Sequence, residues 1–157
     1  MPRGCMRSWR TEGPMGGGEP GVVYIDTSAA VKLVRPEVHS AELSRWVDEA
    51  ATGTFVSSVL IEVELIRATR RFDQGRLDRA VDVLAGIGII TLSSAVVERA
   101  SRYRDPGLRS LDAIHLATAE HVAQATNGSL RAFLAFDERL LAAARNIGLP
   151  AAAPGLL

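Results

Sequence analysis

The chain has 157 residues, 47% of them hydrophobic and 23% charged, which predicts one globular domain with a single core. No apolar run reaches the roughly 20 residues that a membrane-spanning helix needs, and Cys5 is the only cysteine. These features argue against a membrane protein, an intramolecular disulfide and a cysteine-based zinc site. The formal net charge is zero, so charge alone gives no support for nucleic-acid binding.

The first 21 residues differ in composition from the rest of the chain. They contain basic residues and a glycine cluster at positions 16–18, but they have neither the apolar segment of a secretory signal nor a periodic apolar face. We therefore expect a disordered tail over residues 1–21, followed by one domain over residues 22–157. A single cysteine and no signal segment lead us to expect a cytoplasmic protein.

Short apolar runs alternate with longer amphipathic stretches from residue 22 onward. The apolar runs predict strands over residues 22–25, 54–57, 87–92, 130–136 and 150–153. The amphipathic stretches predict helices over residues 28–34, 40–51, 59–72, 76–85, 94–105, 111–126 and 138–146, with Ser94 as an N-cap, a turn at Asn127 and Gly128, and Gly148 as a C-cap. This order predicts an α/β fold with a central parallel sheet of four to five strands.

Three aspartates stand at the ends of predicted strands or at the start of a helix. Asp26 directly follows the apolar run VVYI, Asp137 follows LAF, and Asp112 begins a helix after DPGLRS. In parallel sheets, ligands bind beyond the carboxyl ends of the strands, so these side chains are candidates for one shared site. Each aspartate alone is explained more simply as a helix cap or first-turn acid. For the three together, sequence leaves both interpretations open.

Two glutamates, Glu62 and Glu64, lie inside the predicted helix 59–72, where capping does not explain them. They flank the apolar face of that helix on opposite sides, so only one of them can face a common site. Periodicity does not decide between them. Paired with a nearby arginine such as Arg67, either one could instead be an exposed surface charge.

Carboxylate oxygens are hard ligands that suit Mg²⁺ or Mn²⁺ better than zinc. With one or two such ions, an acidic cluster supports phosphoryl transfer to water. Thr27 and Ser28 could hold a metal-bound water or a phosphate, but we interpret them as caps of the helix that follows them. His115 is interpreted as a packing residue, and His39 and His121 as surface residues.

Four segments together resemble the PIN domain, and the resemblance covers residues 22–155. YIDTSA resembles its first acidic motif, SSVLIEVELIR the helix with its second acid, LRSLDAIHLATA its third motif, and AFDERLLAAARNIGLPAAAPG the closing segment of bacterial VapC toxins. The resemblance implies a PIN-like α/β/α sandwich whose acidic site, catalytic and metal-binding, consists of Asp26, Glu64, Asp112 and Asp137. The E-L-x-R spacing favours Glu64 over Glu62. Ala135 departs from the pattern, because such toxins often carry a hydroxyl residue there.

The same resemblance implies a Mg²⁺-dependent endoribonuclease, with Mn²⁺ as a possible substitute, that acts as the toxin of a toxin–antitoxin pair. The partners it implies are an RNA substrate, a VapB-type antitoxin and a second copy of the chain. Two alternatives stay open. One is a PIN-like interaction module without catalysis. The other is a phosphoacceptor receiver-like domain, against which Lys32 argues because it lies in the first helix instead of after a late strand.

Overall fold

The computed structural model describes residues 21–156, which form one five-stranded parallel sheet with helices on both faces. The strands follow the order β3-β2-β1-β4-β5, and every neighbouring pair is parallel. They are β1 (Val22–Ile25), β2 (Thr54–Ser58), β3 (Gly88–Ile90), β4 (Leu130–Leu134) and β5 (Ala151–Ala152). This architecture confirms the predicted α/β sandwich. The predicted tail over residues 1–21 lies, except for Gly21, outside the described residues.

Seven α-helices connect the strands over residues 21–156, and a short 3₁₀ turn (Gln74–Arg76) precedes the fourth of them. None of these helices is long and apolar enough to cross a bilayer. The helices are α1 (Thr27–Val34), α2 (Ser40–Glu49), α3 (Leu60–Phe72), α4 (Leu77–Ala85), α5 (Ser94–Ser101), α6 (Ser110–Ala125) and α7 (Glu138–Asn146).

The alternation of side chains along the central strands produces two apolar cores, one on each face of the sheet. On β1, Val23 and Ile25 pack against helices α1 to α4, whereas Tyr24 packs against α6 and α7. All three side chains are at most 1% exposed. Because both faces are covered, the central strand β1 is apolar throughout, as is typical of strands buried in parallel sheets.

The strand order reverses between β1 and β4, which is where ligands bind in open α/β sheets. From β1 the chain adds β2 and β3 on one side, then returns to add β4 and β5 on the other side. The two strands are hydrogen-bonded to the end, where the Asp26 N–H donates to the Leu134 carbonyl at 2.9 Å. This topology brings the residues that follow β1 and β4 to one edge of the sheet.

Several predicted element ends differ from those observed, and hydrogen bonds or strand pairing in the folded chain explain the differences. Strand β4 ends at Leu134, because the Phe136 N–H donates to the Ser28 hydroxyl instead of to a neighbouring strand. Strand β3 is only three residues long, since it lies at the sheet edge and pairs with β2 alone. The cap of α5 is Ser93, not Ser94: Ser93 has extended backbone angles and accepts the Val96 N–H at 3.3 Å.

The predicted turn and cap positions after α6 and α7 agree with the backbone. Asn127 and Gly128 have positive φ angles of 51° and 83°, and Gly148 has a φ of 83°. Asparagine and glycine tolerate this left-handed conformation, so these positions end their helices with little strain. After these turns the chain continues into β4 and β5.

Candidate functional site

Asp26 is placed at the reversal point by the end of β1, where its side chain is buried beneath the start of α1. Its residue is 5% exposed, and its Oδ2 accepts hydrogen bonds from the Ser28 N–H at 2.9 Å and from the Ser28 hydroxyl at 2.5 Å. Asp26 is therefore the cap of α1, and the expectation that Thr27 and Ser28 are its caps is wrong. In residues 21–156, no hydrogen bond is formed to the other oxygen, Oδ1.

Ser28 also joins the two strand ends that frame the site. Its hydroxyl donates to Asp26 and accepts the Phe136 N–H at 2.9 Å, so one side chain fixes the residue after β1 and the backbone just before Asp137. This contact spans 108 residues of sequence. It holds the first and last acids of the predicted set at a defined separation.

Glu64 turns from α3 toward Asp26, whereas Glu62 is exposed on the same helix. The Oε2 atom of Glu64 accepts the Thr27 hydroxyl at 2.7 Å and lies 2.6 Å from Nε2 of His115. Thr27 thus bonds the second acid rather than capping α1. Of the two glutamates, Glu64 is the one that the structure places beside the other acids.

His115 is the residue whose contacts sequence reasoning missed. It is 1% exposed, as the packing interpretation requires, but both ring nitrogens meet polar groups. Its Nδ1 lies 2.8 Å from the Tyr24 hydroxyl, and its Nε2 lies 3.9 Å from Oδ1 of Asp26 in addition to the contact with Glu64. The available signal was spacing, because His115 lies three residues after Asp112 and therefore shares a helix face with it.

Asp112 and Asp137 form a second pair, joined by Arg109. The guanidinium Nε of Arg109 lies 2.9 Å from Oδ2 of Asp112, and one of its terminal nitrogens lies 3.3 Å from Oδ2 of Asp137. Asp137 also caps α7, since its Oδ1 accepts the Leu140 N–H at 3.0 Å. Sequence reasoning did not single out Arg109, although its position three residues before Asp112 is a helix-face spacing.

The surroundings of Glu64 and His115 shift the pKa values of both side chains. Burial raises the pKa of Glu64, but hydrogen bonding and charge from His115, with smaller effects of Thr27 and Arg109, bring that pKa below its ordinary value. Burial lowers the pKa of His115, yet its hydrogen bond to Glu64 and the charges of Asp26 and Asp112 raise that pKa overall. Asp26, Glu64 and Asp112 therefore lie close enough to His115 for their charges to act on it.

The chemistry of the donor set suits a hard divalent cation better than zinc. It offers carboxylate oxygens only, and its one histidine already uses both nitrogens in hydrogen bonds. Between residues 21 and 156, no group of three or more acids, histidines or cysteines is drawn together in metal-ligating geometry. The positive charge beside Asp112 and Asp137 is instead that of Arg109.

Comparison with known proteins identifies the family. The PIN domain model matches residues 23–146, which is most of the chain. The chain belongs to the PIN domain family. Ribonuclease VapC35 of Mycobacterium tuberculosis is 41% identical to it over 137 residues, which cover 85% of this chain and 98% of VapC35. The family excludes the receiver-like alternative, and Lys32 on α1 bonds Glu37 at 2.9 Å.

Solved structures of related proteins share the fold at low sequence identity. Mycobacterium tuberculosis VapC20, described as a toxin that cleaves the sarcin–ricin loop, superposes with a TM-score of 0.62 at 17% identity, covering 81% of this chain and 95% of VapC20. A chain of a toxin–antitoxin complex from Klebsiella pneumoniae superposes with a TM-score of 0.58 at 22% identity, covering 76% of this chain and 90% of that one. Both likenesses establish the PIN fold of residues 21–156.

Proposed function

We propose that this PIN domain is a Mg²⁺-dependent endoribonuclease, acting as the toxin of a VapC-type toxin–antitoxin pair. The observation that supports the proposal is a pair of shared contacts near the point where the sheet order reverses. Asp26 and Glu64 both contact His115. Asp112 and Asp137 both pair with Arg109. The sequence identity of 41% to ribonuclease VapC35, over 98% of that protein's length, supports the same activity.

The four acids would hold one or two Mg²⁺ ions, and Mn²⁺ would serve in their place. When bound, the cation supplies Lewis-acid stabilisation of phosphate oxygens and makes water a stronger nucleophile at neutral pH. The protein's own contribution is to fix the acids before substrate arrives. Ser28 holds one oxygen of Asp26, and Thr27 with His115 holds one oxygen of Glu64.

Arg109 supplies the positive charge that a phosphate needs at the mouth of the site. Its side chain is 64% exposed, and its neighbouring carboxylates raise its pKa further, so it is always charged. A planar guanidinium can donate two parallel hydrogen bonds to phosphate oxygens. Arg109 would bind the scissile phosphate or the phosphate next to it.

The proposed partners are RNA, a VapB-type antitoxin whose C-terminal segment covers the acidic site, and a second copy of the chain as a homodimer. The relative found in a toxin–antitoxin complex supports the antitoxin. RNA and antitoxin would meet the protein in the cytoplasm. Light scattering of the purified chain, alone and with the product of a neighbouring antitoxin gene, would test both assemblies.

Asp112→Asn tests the proposed activity, because it keeps the size of the side chain and removes one charge. RNA cleavage in Mg²⁺ should fall by at least about 100-fold, as loss of several kcal/mol of transition-state stabilisation requires. The melting temperature without metal should stay near that of the wild type, since relief of repulsion offsets the lost pairing with Arg109.

The outcomes separate catalysis from helix stabilisation. A residue that served only the first turn of α6 would be replaced by asparagine at a cost of about 1 kcal/mol or less, with cleavage intact. Wild-type protein that cleaves no RNA in Mg²⁺ or Mn²⁺, yet binds an antitoxin, would instead indicate a PIN-like interaction module.

A further inference from the structure

The two carboxylate oxygens of Glu64 have different surroundings. Oε2 receives both polar contacts, the Thr27 hydroxyl at 2.7 Å and Nε2 of His115 at 2.6 Å. Oε1 accepts no hydrogen bond from any residue between 21 and 156. A carboxylate held by one oxygen presents the other in a fixed direction, which is what a ligand to a cation requires.

The tautomer of His115 is set by Tyr24 on the opposite side of the ring. The Tyr24 oxygen accepts the Ser58 N–H at 3.0 Å, and its own hydrogen can point to Nδ1 of His115 at 2.8 Å. A tyrosine phenol is protonated at neutral pH, so it can donate that hydrogen. A neutral imidazole that accepts at Nδ1 carries its hydrogen on Nε2, and a protonated imidazole carries a hydrogen there as well, so Nε2 donates to Glu64 in either state.

We propose that His115 is a positioning residue for the cation site: oriented by Tyr24 and assisted by Thr27, it holds Oε2 of Glu64 and so presents Oε1 to the divalent cation. The inference rests on the proposed function, since it concerns the same acids. Burying a ring with unpaired polar atoms is costly, so a buried histidine needs partners on both nitrogens even when it serves packing alone, and what matters here is which partners it has. Here the two partners are a buried phenol and a proposed metal ligand.

Two substitutions of His115 separate its two contacts. In His115→Asn the shorter amide can still meet Tyr24 but does not reach Glu64, whereas in His115→Gln the amide nitrogen can take the place of Nε2. Mn²⁺ affinity, measured by titration calorimetry and by Mn²⁺ paramagnetic resonance without RNA, should fall about 10- to 100-fold in His115→Asn. His115→Gln should recover most of that loss.

Thr27 offers a second pair of substitutions, which act on the other contact of Oε2. Thr27→Val removes the other donor to Oε2 and should weaken Mn²⁺ binding, while Thr27→Ser should restore it. Thr69→Val is the matched control: Thr69 is buried on the same helix as Glu64, but its hydroxyl donates only to the Leu65 carbonyl at 2.8 Å. It should lower the melting temperature and leave Mn²⁺ affinity unchanged.

The results distinguish failure of this inference from failure of the site. Wild-type affinity for Mn²⁺ in both His115→Asn and Thr27→Val would overturn the positioning role and leave the acidic site standing. If His115→Asn and His115→Gln lost the same Mn²⁺ affinity, and that loss followed the fall in melting temperature, His115 would have only a structural role. Wild-type protein that binds no Mn²⁺ would overturn the acidic site and this inference with it.

Discussion

Asp26 and Asp137 each use one carboxylate oxygen to cap a helix, and this does not prevent them from belonging to a shared site. Asp26 caps α1 through Oδ2, and Asp137 caps α7 through Oδ1. A carboxylate has two oxygens, so capping fixes its orientation through one of them, while Oδ1 of Asp26 faces His115 and Oδ2 of Asp137 pairs with Arg109. The capping and metal-binding interpretations are therefore compatible, and only substitution can separate them.

At the same scale, Arg109 is expected to compete with the cation for Asp112 and Asp137. Exposed ion pairs are each worth about 0.2–1 kcal/mol and Arg109 makes two, so Arg109→Gln should tighten Mg²⁺ binding by at most about 30-fold. RNA cleavage should nevertheless fall, because a phosphate contact is lost. Calorimetry with Mg²⁺ and a cleavage assay would measure the two effects separately.

Arg102→Gln is the control for that prediction. Arg102 pairs with Glu98 on the exposed surface of α5, away from the four acids. Its loss should change neither Mg²⁺ affinity nor cleavage. If Arg109→Gln behaved in the same way, Arg109 would have no part in the site.

Among elements, the start of α1 is the junction on which the site depends. Ser28 connects it to the end of β4 through the Phe136 N–H and to Asp26 through its hydroxyl hydrogen. Ser28→Ala leaves a partly buried N–H without its acceptor, so it should lower the free energy of unfolding by about 1–3 kcal/mol in a urea titration.

Ser101→Ala provides the matched comparison, since the Ser101 hydroxyl is exposed and donates to the Glu98 carbonyl within the same helix. Its effect should stay within about 0.5 kcal/mol. Equal effects of the two substitutions would contradict the role of Ser28 as a connection between β1 and β4.

Sequence periodicity predicts the elements well because burial on both faces of the sheet leaves a strong local pattern. Helix α7 and strand β1 begin and end where the apolar pattern places them. Strand β4 was predicted two residues too long, because Ala135 and Phe136 continue the apolar run while Ser28, 108 residues earlier, ends the strand's hydrogen bonding. The sequence around β4 gives no indication of a contact with so distant a residue.

Prediction of the site from the sequence has the same limit, because contacts between distant residues leave no local pattern. Asp26, Asp112 and Asp137 are visible in the sequence because each follows a strand or begins a helix. Tyr24 and His115 are not visible as partners, since they are 91 residues apart and each looks like a core residue on its own element. Their pairing follows from the packing of α6 on β1, which periodicity does not specify.

Over the whole molecule, each acid is supplied by a different element, and the sheet brings them together. Asp26 follows β1, Glu64 lies on α3, Asp112 on α6 and Asp137 before α7, so both layers of helices contribute. A site built in this way exists only in the folded domain. Binding of Mg²⁺ to the native state should therefore raise its melting temperature.

The central claim is that RNA hydrolysis depends on a cation held by this acidic cluster, and Glu64 tests it most directly because Glu62 on the same helix is its natural control. RNA cleavage should be measured for the wild type, Glu64→Gln and Glu62→Gln in Mg²⁺ and in chelator. We predict cleavage by the wild type and Glu62→Gln in Mg²⁺ only, and a loss of at least about 100-fold in Glu64→Gln. Cleavage that survives in Glu64→Gln, or that continues in chelator, would contradict the account.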